Sequence, residues 1–447
     1  MKRFIQNIKN IWKVEELRKR IILTLSLILV YRIGSFIVLP GVNYEALTSA
    51  QKDAGGAGTL ETLLSLFSGG GFTNASIMGL GIMPYISASI IMQLLGMAVP
   101  AVQKMQNEGE SGRKQINNYT RILTIIICAA QAPSYLTLYI GQKGALPVDA
   151  GTLWWAQSII VMVAGSMFAV WLGERITDKG IGNGISLLIT VGILARLPQS
   201  FLSEVAMRQP LLIVLEIVVF MLIVVGTILI VQGVRKIPLN TAKRVVGARA
   251  ADAQGARSYL PLKVNASGVM PIIFAQAIMT IPVMIFSGGG TPGEKPSWFQ
   301  TNLSDIYGLT YNLLLGLLIV VFTYFYTAIM INPRKMADDL KRNGGFIPGV
   351  RPGEETANFI DTLVSRITLP GSLFLAIIAI LPSIAHAAGI TSGFEMFFGG
   401  TSLLIMVGVV LDTLQQIESY LLNRHMDGLM EGTRVRGRRA ANELSGF

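Results

Sequence analysis

The feature that most constrains this chain is a series of ten long runs with little or no charge. They lie at about 21–40, 77–99, 120–140, 154–173, 185–203, 211–233, 267–286, 310–331, 367–388 and 400–422. A helix rises about 1.5 Å per residue, so about 20 residues cross a hydrocarbon core about 30 Å thick. No water is present there to satisfy main-chain N–H and C=O groups, which leaves helices or a closed barrel. Barrel-type alternation is absent from the runs. The expected fold class is therefore an all-α integral membrane protein with ten transmembrane helices. Only 14% of the residues are charged, where a soluble domain carries about a quarter.

A net charge of +11 would suit a nucleic-acid binder, but its distribution does not. Of the 37 Lys and Arg, 31 fall in alternate segments: the N-terminus, every second loop and the C-terminal tail. Positive charge stays on the cytoplasmic side of a membrane, so both termini are expected there. An even number of crossings agrees, since it puts both termini on one side. The first run has the basic start of a signal peptide. Its length and the lack of a small-residue cleavage site point to a retained helix.

Ten crossings divide into five and five, with a break near Gln209–Pro210. The expected halves are 1–209 and 210–447. An odd number per half puts them in opposite orientations, the arithmetic of an inverted repeat with a pathway where the halves meet. Two cytoplasmic loops, 234–266 and 332–366, are long and basic and contain Pro and Gly. Charge topology needs less than that length, so docking of a cytosolic partner is the stronger reading.

One apolar piece is too short to cross. TLETLLSLFSGGGFT, residues 59–73, has a helical part, Thr59 to Ser68, that would span about 15 Å. Leu60, Leu63, Leu64 and Phe67 can share one face, and Gly69, Gly70 and Gly71 supply a hinge. By itself such a piece reads as a helix lying on the outer leaflet.

Catalytic chemistry is not in evidence. Cys128 sits in an apolar run and reads as a buried, inert thiol. His386 and His425 have no Cys or Asp cluster beside them. GIGNGIS (180–186) has close glycines but no preceding strand, so a phosphate cradle is a poor reading. No cofactor is expected. A secondary transporter is the rival from another class, but carriers place ionisable groups at mid-membrane. Here Glu216, Asp412 and Glu418 lie toward span ends, and Arg32 is nearer the outer half of the first span. The middles hold apolar residues with occasional Gln93, Gln131 and Gln276. An apolar constriction that excludes water fits better.

Several long motifs then become specific. RIGSFIVLPG (32–41), GLGIMPYISASIIMQLL (79–95), EGESGR (108–113), WLGERITDKGIGNGIS (171–186), LPLKVN (260–265), NPRKMADDLKRNGGFIPGVRPGEET (332–356) and GGTSLLIMVGVVLD (399–412) resemble the SecY family, in order and from first span to last. This is the central subunit of the bacterial protein-conducting channel.

The resemblance implies two five-helix halves around an hourglass pore in the bacterial cytoplasmic (inner) membrane. Unfolded secretory chains pass through, and apolar segments leave by a lateral gate between spans 2 and 3 and spans 7 and 8. Gln93, Gln131 and Gln276 are the gate candidates on those spans. Residues 59–73 match the family's plug, which caps the closed pore. Ile82, Ile86, Ile185, Ile189, Ile273 and Ile405 match its apolar pore ring. Arg351, with Lys243 and Arg244 in the other long loop, matches positions that dock the motor or ribosome. The implied partners are SecE, SecG, the SecA ATPase, the ribosome, signal peptides with the secretory and membrane proteins that carry them, and lipid.

Overall fold

The computed structural model describes residues 14–53, 68–141, 143–147, 151–241, 258–276, 278–279, 305, 307–390 and 393–421. Leu60, Leu63, Leu64 and Phe67, and likewise Lys243 and Arg244, lie outside the described residues. The helices are α1 (Glu15–Gly34), α2 (Tyr44–Asp53), α3 (Met83–Ala98), α4 (Pro100–Asn107), α5 (Glu110–Tyr135), α6 (Thr152–Lys179), α7 (Gly184–Met207), α8 (Pro210–Val231), α9 (Leu309–Met330), α10 (Pro333–Arg342), α11 (Glu354–Ala387) and α12 (Gly400–Leu421).

Among the described residues seven helices are long and apolar enough to cross a membrane, or eight if α3 and α4 form one broken span. Helix α1 adds 20 residues, and the run 267–286 falls partly outside the described residues. The chain is thus a multi-pass helical membrane protein, consistent with ten crossings.

The runs 21–40 and 77–99 are not helical throughout. Residues 35–40 leave α1 and form a bridge, Val38 to Ser76, flanked by Leu39 N–H to Ala75 O and Ile77 N–H to Ile37 O, both 2.9 Å. Gly79 and Gly81 (φ +56°) keep 77–82 in turns. After α3, Pro100 holds Val99 extended (φ −112°, ψ 112°), because the residue before proline avoids the helical region. The chain bends by 105° there.

The chain divides into two compact units. One comprises Met1–Pro198 and Val409–Phe447, the other Gln199–Gly408. The core of the first is built around Cys128, Ala132, Leu136, Ile140 and Met162 of α5, its π-helical extension and α6. Cys128 is fully buried there, as its sequence context suggests. In this unit GIGNGIS is a helix-to-helix turn whose amides are already engaged. Ile181 N–H donates to Thr24 Oγ1 (3.1 Å), Gly182 N–H to Gln416 Oε1 (2.8 Å) and Gly184 N–H to Thr177 Oγ1 (2.9 Å).

The core of the second unit packs α9 against α11, with Tyr311, Leu315 and Ile319 facing Leu375, Ile378 and Ala379. Helix α11 has 34 residues, about 51 Å of rise, well beyond a hydrocarbon core. Its extra turns carry Ile360 and Val364 into a small separate core. There the two long loops meet. Strands β1 (Val234–Thr241), β2 (Ser258–Lys263) and β3 (Gly345–Phe346) form an antiparallel sheet in the order β2-β1-β3, with Ile237 opposite Leu260. Ile237, Leu239, Leu262 and Ile347 bury one face against Ile360 and Val364. The sheet was not expected from sequence, where the loops read only as basic and containing Pro and Gly.

Candidate functional site

Gly69, Gly70 and Gly71 open a tight turn, 68–77, that follows the short apolar segment. Gly69 (φ +62°) and Gly70 (φ +94°) take conformations that L side chains rarely adopt. A Cβ on Gly69 would also lie 2.7 Å from the Cα of Gly192 on α7. Glycine is required there for approach as well as for conformation.

Two arginines from apolar helices hold the turn. Arg32 of α1 donates from Nη1 to Gly69 O at 2.7 Å, and its guanidinium lies 5.3 Å from the centre of the Phe36 ring. Arg196 of α7 donates from Nη2 to Thr73 Oγ1 at 2.6 Å, and that hydroxyl donates onward to Gly70 O at 3.0 Å. Tyr135 donates to Phe72 O (2.6 Å) and Tyr139 to Thr73 O (3.2 Å), while the Phe72 ring packs 4.7 Å from both tyrosine rings. Hydrogen bonds to charged groups contribute about 1.5–3 kcal/mol each. The turn is therefore firmly held in place. It offers no nucleophile, general base or metal ligands. Among the described residues no group of His, Cys, Asp and Glu is arranged to hold a metal.

The sequence-derived isoleucines fall in both units. Ile82 is fully buried at the start of α3 and Ile86 is half-buried one turn later, with Ile86 N–H bonded to Ile82 O. Ile185 and Ile189 stand one turn apart on α7, Ile189 buried, and the start of α7 lies close against Gly173 of α6. In the second unit Ile273 is half-buried in the helical stretch 270–276, and Ile405 of α12 is buried.

The glutamines have separate settings. Gln93 donates to Ser89 Oγ (3.4 Å), Gln131 is exposed, and Gln276 accepts from Thr401 Oγ1 (3.3 Å).

Arg351 is exposed beside the small sheet. Its carbonyl accepts from Thr356 Oγ1 at 2.8 Å, and Gly349 (φ +84°) and Gly353 (φ +114°) bend the chain on either side. The guanidinium thus projects from a packed base built by both long loops.

Arg32 and Arg196 were not read as site residues from the sequence. Their hydrogen-bond partners lie 37 and 123 positions away. A charged residue inside an apolar run was the available signal.

The family model for SecY matches residues 76–414. The protein translocase subunit SecY of Mycobacterium tuberculosis is 40% identical over 445 residues, covering 96% of this chain and 99% of that one. Among solved structures, a protein-conducting channel superposes with a TM-score of 0.62 at 20% identity, covering 90% of this chain and 91% of that chain. Sec61 in a canine ribosome–channel complex gives 0.58 at 20% identity, covering the same shares. The structures establish the fold, and the near full-length identity to the relative places the chain in the SecY family.

Proposed function

We propose that this chain forms the channel through which unfolded secretory polypeptides cross the bacterial cytoplasmic membrane, and that it releases apolar segments sideways into the bilayer. Both termini face the cytoplasm. Residues 1–209 and 210–447 are the two inverted halves. Ile82, Ile86, Ile185, Ile189, Ile273 and Ile405 supply the apolar ring of the pore. Aliphatic side chains give a passing chain no hydrogen bonds to hold it, yet they exclude water and ions at rest. Residues 59–68 cap the closed pore, anchored through Gly69–Gly71 to the turn held by Arg32 and Arg196. Gln93, Gln131 and Gln276 mark the lateral gate, which signal peptides part. SecE and SecG accompany the chain in the membrane.

One observation carries the docking side of this reading: both long basic loops share a single hydrophobic core with Arg351 exposed at its edge. A charge needed only for topology gains nothing from such a base. A charge that must meet SecA or a ribosome in fixed geometry does. Lys243 and Arg244 belong to the same surface in this reading.

Arg351→Glu tests it. Folding is expected to survive, since an exposed loop substitution shifts stability by about ±0.5 kcal/mol. Reversing a close interfacial charge costs about 2–5 kcal/mol, so ATP-driven import of a precursor into vesicles should fall by roughly 30-fold or more. Normal channel abundance with native import rates would remove the docking role.

A further inference from the structure

We propose that the corner between the end of α7, the start of α8 and the end of α11 binds a phospholipid bearing a primary ammonium headgroup. None of its lining residues belongs to the isoleucine ring or to the docking loops. A cavity of about 230 Å³ opens there, walled by Leu212, Leu215 and Val219 of α8, Ile384 of α11, Ile390 and Phe398. Its polar end is Arg208 and Glu216.

Arg208 donates from Nε to Glu204 Oε1 and pairs through Nη1 with Glu216 Oε1, both at 2.9 Å. One guanidinium between two carboxylates leaves the corner one negative charge in excess. Glu216 is only 8% exposed, and its Oε2 accepts no hydrogen bond. A buried carboxylate oxygen without a donor is costly, and water entering the groove would answer it while leaving the apolar walls wet. A molecule with an apolar chain and a cationic N–H donor at one end answers both.

Lipid is the occupant that fits these dimensions. Helix α8 leaves Leu211, Leu215, Val218, Leu222 and Leu229 exposed, so acyl chains already surround this face in a membrane. A partner helix is about 10–12 Å across with its side chains and does not enter so small a cavity, whereas one acyl chain does. The ammonium of a phosphatidylethanolamine supplies the donor for Oε2. A choline headgroup has the same charge but no N–H.

The test uses the full channel complex, purified and exchanged into nanodiscs that hold phosphatidylethanolamine and phosphatidylcholine of identical chains in equal amounts. Native mass spectrometry reads the lipid retained. Retention of the ethanolamine lipid is expected to exceed that of choline by roughly tenfold, the worth of one charge-assisted hydrogen bond. Glu216→Gln should bring the ratio close to one. On the unaltered protein, mono- and dimethylated ethanolamine lipids, which keep an N–H, should still be retained above choline, so the test stands even if the variant assembles poorly. A photoreactive residue replacing Leu212 should form adducts with lipid in native membranes. Equal retention by the unaltered protein, a preference that survives Glu216→Gln, or adducts with a polypeptide would each overturn the proposal.

Discussion

The turn at 68–77 and the far end of α11 handle buried polar groups in opposite ways. In the first unit Arg32 and Arg196 reach into apolar surroundings and meet a carbonyl and a hydroxyl at 2.7 and 2.6 Å. In the second unit carboxylates are left with an oxygen to spare. Glu216 Oε2 is one case. Glu395 is another: Tyr307 donates to its Oε1 at 3.0 Å, but its Oε2 makes no hydrogen bond, and neither does Nδ1 of His386, whose ring stacks on Tyr307 at 3.9 Å. A satisfied charged donor fixes the backbone it touches. A surplus buried acceptor fixes nothing, and stays costly until a proton or an outside donor arrives. The first corner is thus built to hold a position and the second to respond to its surroundings.

The largest expected effect comes from removing the held position. Arg196→Ala deletes the donor to Thr73, and Arg32→Ala the donor to Gly69. At about 1.5–3 kcal/mol each, either loss shifts the balance between closed and open states by roughly tenfold or more. Resting ion conductance of the purified channel in planar bilayers should rise accordingly. The double variant should gain less than the sum, because both arginines hold the same turn. Conductance equal to the native channel's in all three would detach the turn from the gate, and the contrast between the corners would lose its functional meaning.

A smaller effect is expected from Gly69→Ala, which keeps both arginines. The residue would sit at φ +62°, a strain of about 1–2 kcal/mol, with its Cβ against the Gly192 backbone. Gly109→Ala is the control. Its φ of +75° is also positive, at a ψ of −134°, but nothing lies within 4 Å of the added carbon. If Gly69→Ala raises conductance and Gly109→Ala does not, the close approach to α7 matters and not backbone strain in general. Equal behaviour would show that the turn tolerates displacement, and the anchor would have to be read as loose.

Where the chain is uninterrupted and apolar, its structure was legible. Helices α6, α8 and α9 begin and end within a few residues of the apolar runs, apart from the charged turns that lengthen α6 to Lys179. The failures share a cause. Apolar character says that a residue is buried or faces lipid, but not that it is helical, so 35–40 and 77–82 were taken into spans although 35–40 bridges to 75–77 and 77–82 stays in turns. In the basic loop the strand signal was the alternation Ile237, Leu239 and Leu260, Leu262, obscured by the charged neighbours Arg235, Lys236 and Lys263. The arginine contacts were invisible because their acceptors are a distant carbonyl and a threonine hydroxyl, which no motif encodes.

The smallest effect separates a surplus acceptor from a harmless one. Burial, first of all, raises the Glu395 carboxyl above its ordinary value of 4.5, against the opposing pull of its own hydrogen bonds and of His386. The Tyr307 phenol is raised as well, by burial and then by the Glu395 charge. A carboxyl raised in the folded state favours the protonated form there. Its stabilising contribution is full below the unfolded pKa near 4.5 and is lost as pH rises through the folded value. Glu395→Gln removes that dependence, while its amide oxygen still accepts from Tyr307. Melting of the purified channel should therefore be higher in the variant than in the native protein at pH 8, by a few degrees at most. The gap should close as pH falls toward 4.5, because the native carboxyl becomes neutral and the two side chains then differ little. Melting curves that run parallel from pH 4.5 to 8 would show that the ionised Glu395 is not penalised, and that the free Oε2 at this end of α11 meets solvent whenever it carries charge.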